Sequence, residues 1–163
     1  MILREPANRL DPRVRRLWAL EWLLLTLALL AGVVIAVLVL VATDATTAAI
    51  AVGVVGGLAV VAGGVTVLVA PGIAYDHYGY EVTELGLYVA SGVVRRRWQV
   101  VPHARAQTVD TRSGPLERLC GVVSVAVSTA SADGGTEVPG LAPRVADALV
   151  DELARRAGIE EGT

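Results

Sequence analysis

The chain predicts a membrane-spanning helical hairpin followed by a β-rich α+β domain that ends in a single helix. Two long uncharged apolar runs near the N-terminus point to the hairpin. A switch after Pro71-Gly72 to short alternating runs, broken by Gly, Pro and Asp, points to the domain. Composition agrees: 54% of the 163 residues are hydrophobic and 18% charged, against roughly 45–50% and about 25% in soluble domains. The excess is concentrated before residue 71, which leaves enough chain for one small domain.

The first run lies between Glu21 and Asp44, with its apolar part over residues 22–42; the second covers 48–70. A helix rises about 1.5 Å per residue and the hydrocarbon core is about 30 Å thick, so each run is long enough to cross. Residues 43–47 leave room only for a tight turn between antiparallel helices. A cleaved signal peptide fits less well, because its apolar stretch is shorter and no second span follows it. Residues 1–21 form a basic leader with Arg4, Arg9, Arg13, Arg15 and Arg16, the turn has no arginine, and Arg95, Arg96 and Arg97 follow the second run. The positive-inside rule then places both termini and the domain in the cytoplasm of a cell whose inner membrane holds the hairpin, a multi-pass protein. Trp18 and Trp22, and Tyr75, Tyr78 and Tyr80, flank the spans as interfacial aromatics do.

Small residues recur at helical spacing: Ala28, Gly32 and Ala36 on the first helix, Ala49, Gly53 and Gly57 on the second. Gly32, Gly53 and Gly57 are therefore the candidates for close helix packing, within the hairpin or between copies. Neither run holds an ionisable residue, and Thr26 and Thr66 are its most polar groups. Ion and proton pathways need buried charge or a lined cavity, so these helices read as anchors rather than a transport path.

Residues 71–158 form the domain and 159–163 a tail. Leu87 and Val89 open a strand ended by Ser91-Gly92; further strands read over 93–101, 105–111, 122–130 and 136–138, with Asp133-Gly134-Gly135 as the last turn. Pro143 begins a helix in which Val145, Ala146, Leu149, Val150 and Leu153 recur at 3.6 spacing, and Gly158 ends it. Net charge is −2 and all 14 basic residues are arginine. Nothing in that balance favours nucleic acid. Cys120 is the one cysteine, so no internal disulfide forms.

The stretch from Val101 to Leu141 resembles the bacterial pleckstrin-homology-like, membrane-flanked domain family. The resemblance rests on Val101-Pro102, Arg105, Gln107 and Val109, on Gly114-Pro115-Leu116-Glu117-Arg118-Leu119 with Gly121, on Thr129-Ala130, and on Pro139-Gly140-Leu141. It extends over roughly residues 74–157, and two preceding spans suit a short family form. Cys120 departs from the large apolar residue expected before Gly121. The resemblance implies a PH-like fold, a seven-stranded bent sheet or partial barrel capped by a C-terminal helix. It also implies no enzymatic activity, and assembly or protein binding, with a second copy or a larger membrane paralogue carrying repeated PH-like domains as partner.

Arg95-Arg96-Arg97-Trp98 is the densest charged cluster. As a headgroup contact it would use Arg95, Arg97 and Trp98; as a plain strand face, alternation would keep the three arginines off one side, with Trp98 in the core. After residue 70, nine Arg stand against twelve Asp plus Glu, which favours the second reading. Phosphoinositide binding of the eukaryotic type needs a basic first hairpin, and here that hairpin carries Glu81 and Glu84. In the Gly114–Arg118 segment, Leu116 and Leu119 are expected in the core, with Glu117 and Arg118 as an exposed pair open to a partner. His77, His103, Asp110 and Cys120 lack the spacing of a thiol catalytic set or a metal site. No catalytic residue, cofactor, metal or small-molecule substrate is expected. The expectation is a membrane-anchored assembly or protein-binding module of the bacterial envelope; the alternative is an inner-leaflet lipid-binding or envelope-stress-linked sensor using Arg95–Trp98.

Overall fold

A computed structural model describes residues 4–93, 95–129 and 135–158. Ala130, the Asp133-Gly134 part of the expected turn and the 159–163 tail lie outside the described residues. The chain divides into two compact units, Trp18–Gly72 and a second unit made of Met1–Leu17 together with Ile73–Thr163.

Helix α1 covers Val14–Ala42 and α2 Thr46–Asp76, so both run beyond the apolar stretches, and α2 continues through Pro71. Asp11 starts α1 by accepting the Arg13 N–H at 2.8 Å, as capping carboxylates do. At the other end Asp44 takes a left-handed φ of 56° and the Ala45 N–H closes on the Leu40 carbonyl at 2.9 Å. Asp tolerates that conformation better than most residues. The hydroxyls of Thr26 and Thr66 donate to the carbonyls of Trp22 and Ala62 at 2.8 and 2.9 Å, so both are satisfied within their own helices.

The hairpin packs most closely at Gly56 and Gly63, with the expected Gly53 beside them on the same seam. A Cβ at Gly56 would meet Val33 Cγ2 at 2.5 Å, and one at Gly63 would meet Thr26 Oγ1 at 2.8 Å. Gly53 makes only ordinary contact with Val37, at 3.8 Å, while Gly32 and Gly57 have nothing within 4 Å. From Thr26 to Val33 is one heptad forward, met by one heptad back from Gly63 to Gly56. The seam thus follows the spacing of antiparallel helices crossing at a small angle. Gly32 and Gly57 point away from that seam.

In the second unit, β1 (Gly79–Val82), β2 (Gly86–Ser91) and β3 (Arg97–Pro102) form an antiparallel sheet in that order. A 3-10 turn over His103–Arg105 leads to β4 (Ala106–Arg112), which pairs in a second antiparallel sheet with β5 (Val123–Thr129) and β6 (Thr136–Leu141). A six-residue helix α3, Pro115–Cys120, joins β4 to β5, and α4, Pro143–Ala157, closes the domain. Six strands are thus described where the resemblance implies seven. β3 also starts later than expected: Gly92 turns the chain at φ 100°, and Arg95 and Arg96 precede the strand. Alternation places Val125, Val127, Val138 and Leu141 in the core beside Leu87, Val89 and Val101. Against them α4 buries Ala146, Leu149 and Leu153; Val145 stays exposed at the rim.

The leader belongs to this unit. Asn8 bridges Tyr80 on the outer edge of β1, with N–H···O distances of 3.1 and 2.9 Å, and the Asp11 N–H donates to Gly140 on β6 at 3.0 Å. It therefore spans from the edge of one sheet to the edge of the other. Leu10, Val14 and Leu17 are buried, Val14 with 0% exposure. Burying one such side chain contributes about 1.5–3 kcal/mol. Gly140, at φ 64°, lies so close to Val14 that any Cβ there would collide with it.

Candidate functional site

Polar contacts fasten the leader on both sides. Arg4 pairs with Glu81, whose other oxygen accepts the Ala7 N–H at 3.2 Å. Tyr88 and Tyr75 donate to the carbonyls of Arg4 and Leu10 at 3.0 and 3.2 Å, and Arg15 stacks 5.7 Å over the Tyr75 ring. Tyr78 donates at 2.6 Å to the Glu137 carbonyl on β6; burial, with the Glu137 charge adding to it, holds its phenol well above the ordinary range. Burial also raises Tyr80. Tyrosines expected as interfacial belts thus join leader and sheets.

The arginine cluster is divided by the structure. Arg96 reaches Glu5 of the leader at 3.4 Å, Arg95 is exposed in the turn, and Arg97 opens β3 with its side chain exposed. With Arg95 outside the strand, alternation cannot align it with Arg97. Trp98 is half-buried rather than in the core and lines a cleft with Glu5, Arg9, His77, Tyr78 and Arg96. The cleft holds about 30 Å³. That is room for a water molecule but far below the several hundred Å³ of a small-molecule site.

The Gly114–Arg118 segment departs from expectation in a specific way. Glu117 does not form an exposed pair with Arg118. It turns inward, accepting the Ser124 hydroxyl and the Gly114 N–H, both at 2.5 Å. Leu119, expected in the core, is 73% exposed, and Leu116 is half-buried. Arg118 remains exposed. The local reason is the helix start: Glu three residues after the turn satisfies a free N–H there, and the buried Ser124 needs an acceptor.

The residues weighed as catalytic or metal-binding are dispersed. The His77 ring donates to the Ile73 carbonyl at 2.7 Å, His103 donates to that of Thr83 at 2.9 Å, and Cys120 ends α3. Each histidine is engaged by a backbone carbonyl, that of His77 local and that of His103 in the β1–β2 turn. On α4, Arg156 bonds Glu152 and holds that carboxyl below its ordinary range, and a second nitrogen of Arg156 reaches the Thr83 carbonyl at 3.2 Å.

Two spanning helices, two three-stranded antiparallel sheets and a closing helix define a membrane protein with a PH-like domain. The chain belongs to the bacterial PH domain family, whose model matches residues 20–157. It is similar to the UPF0699 transmembrane protein YdbS of Bacillus subtilis (strain 168), with 31% identity over 157 residues and 96% of each chain covered. No solved structure shows a significant match.

Proposed function

We propose that the protein is a non-enzymatic, membrane-anchored assembly module whose domain, on the cytoplasmic side of the inner membrane, binds another copy or a larger paralogue with repeated PH-like domains. The observation that carries this reading is the outer edge of β4. No described strand pairs there, and Gln107, Thr108, Asp110 and Thr111 are exposed along it. The leader meets β1 and β6, so β4 and, in the other sheet, β3 are the edges it leaves uncovered. An open edge is a template for strand addition, with main-chain hydrogen bonds providing affinity.

The test is the size of the full-length protein in detergent. After micelle correction it should exceed the 17.0 kDa chain as a discrete species, with little change between low and high salt, because strand pairing and apolar burial are screened weakly. A monodisperse monomer at micromolar concentration, with nothing crosslinked to it in native membranes, overturns the assembly reading. Salt-sensitive binding to anionic vesicles, abolished by Arg95→Ala with Arg97→Ala, would assign the function to the lipid-sensing alternative.

A further inference from the structure

We propose that α3 is a second membrane contact, lying on an anionic lipid surface with Leu119 at the headgroup–acyl boundary and Arg13 and Arg118 against lipid phosphates. The first observation is the reversed polarity of α3. Its carboxylate, Glu117, is held inside by Ser124 and Gly114, while Leu119 is 73% exposed. In water an isolated helical turn gains by the opposite arrangement, Leu inward and Glu outward. The clamp on Glu117 fixes α3 in the orientation that presents leucine.

The second observation is position along the chain. The left-handed C-cap Gly121 lies against Arg13, whose Nη1 is 3.5 Å from the place a Cβ would occupy. Arg13 lies nine residues before Trp22, where the apolar run begins. Nine residues reach at most about 32 Å even fully extended. Chain connectivity therefore bounds how far Arg13 can lie from the start of that run.

Charge is the third. Arg13, Arg16 and Arg118 are exposed, and none forms an ion pair among the described residues. Exposed cations beside an outward apolar side chain match an interface of apolar boundary and anionic phosphate. A second outward leucine provides the contrast. Leu85, 81% exposed, lies in the β1–β2 turn, whose Thr83 carbonyl is reached by Arg156 at the last turn of α4. That helix starts at Pro143, beside Gly140 and the leader, and fifteen residues of helix separate the two ends by about 22 Å. The two leucines therefore mark opposite ends of the domain.

The experiment uses the full-length chain with Cys120→Ser, reconstituted in vesicles, with an environment-sensitive fluorophore on Leu119→Cys or, separately, on Leu85→Cys. With phosphatidylglycerol present, the probe at 119 should shift to the blue and be quenched by lipids carrying a shallow nitroxide; the probe at 85 should do neither. Adding Arg13→Gln with Arg118→Gln should lower the docked-to-undocked ratio about 25-fold, from about fivefold per arginine near an anionic surface. Arg4, Arg9, Arg15 and Arg16 keep the leader basic in that variant. An unquenched, water-like probe at 119 overturns the proposal. So does a blue shift without quenching, which would mean that protein covers the leucine. Equal quenching in phosphatidylcholine alone overturns the anionic requirement.

Discussion

Replacing Gly140 by alanine should loosen the leader from the domain, and the structure allows the cost to be separated into two parts. At φ 64° an alanine is in the left-handed region, which costs about 1–2 kcal/mol. Its methyl group would also collide with Val14, including the Val14 Cβ at 2.5 Å, and overpacking of that kind costs about 1–3 kcal/mol. Gly158 provides the control. Its φ is 68°, yet nothing lies within 4 Å of its would-be Cβ, so Gly158→Ala incurs the backbone cost alone. The excess for Gly140→Ala is therefore about 1–3 kcal/mol, and in a small domain each kcal/mol lowers the melting temperature by roughly 4–8 °C. Thermal unfolding of the full-length protein in detergent, followed by near-ultraviolet circular dichroism, measures it. Hydrogen exchange at the Asn8, Asp11 and Tyr80 amides should rise in the Gly140 variant only, since those amides hold the leader. Equal destabilisation by the two substitutions, with leader amides still protected, would refute the packing of Val14 on Gly140.

Three further outcomes are expected, two from the structure and one from the distribution of arginine. Gly56→Ala should weaken the hairpin seam while Gly57→Ala leaves it unchanged, read as crosslinking yield between Val37→Cys and Gly53→Cys; equal yields would place the seam elsewhere. A reporter active only outside the cytoplasm should work when fused at Thr46 and stay silent at the C-terminus, the reverse of which would contradict the arginine-based orientation. Tyr78 ionises in the folded state only above its ordinary value of 10.0. The stability it contributes is fully present below that value and is lost as pH rises above it. Tyr78→Phe should flatten this alkaline loss in denaturant titrations, and an unchanged pH profile would mean that the phenol is not desolvated.

Much of this fold could be read from the residues. Uncharged length gave away the hairpin, alternation gave β5, and 3.6 spacing with Pro143 and Gly158 gave α4. The leader was harder, because its arginines speak of orientation and mask Leu10, Val14 and Leu17, which recur at helical spacing as an apolar stripe. Glycine ridges were ambiguous for a different reason. In a span where alanine and glycine are common, only the facing residue tells that Gly56 and Gly63 meet Val33 and Thr26 while Gly32 and Gly57 meet nothing. Glu117 reads as solvent-facing by hydropathy, and its inward turn depends on Ser124, a partner seven residues on, in the next strand. Such long-range polar pairing leaves no periodic trace. Arg95 escaped because Gly92, with its left-handed φ, breaks the strand that its flanking valines suggest.

The bridge between Asn8 and Tyr80 joins parts of the domain that are translated on either side of the entire membrane hairpin. In free solution, closing a loop of that length would cost about 4 kcal/mol of chain entropy beyond a constant term. Here the loop is not slack. Thr26 packs on Gly63 and Val33 on Gly56, so insertion of the two helices already returns the chain to where it left. Lipid insertion thus acts as a cross-link that pre-assembles the two halves of a soluble fold, much as a disulfide restricts an unfolded chain. The domain can complete only after the second span is in place, and both of its halves must then share one side of the membrane.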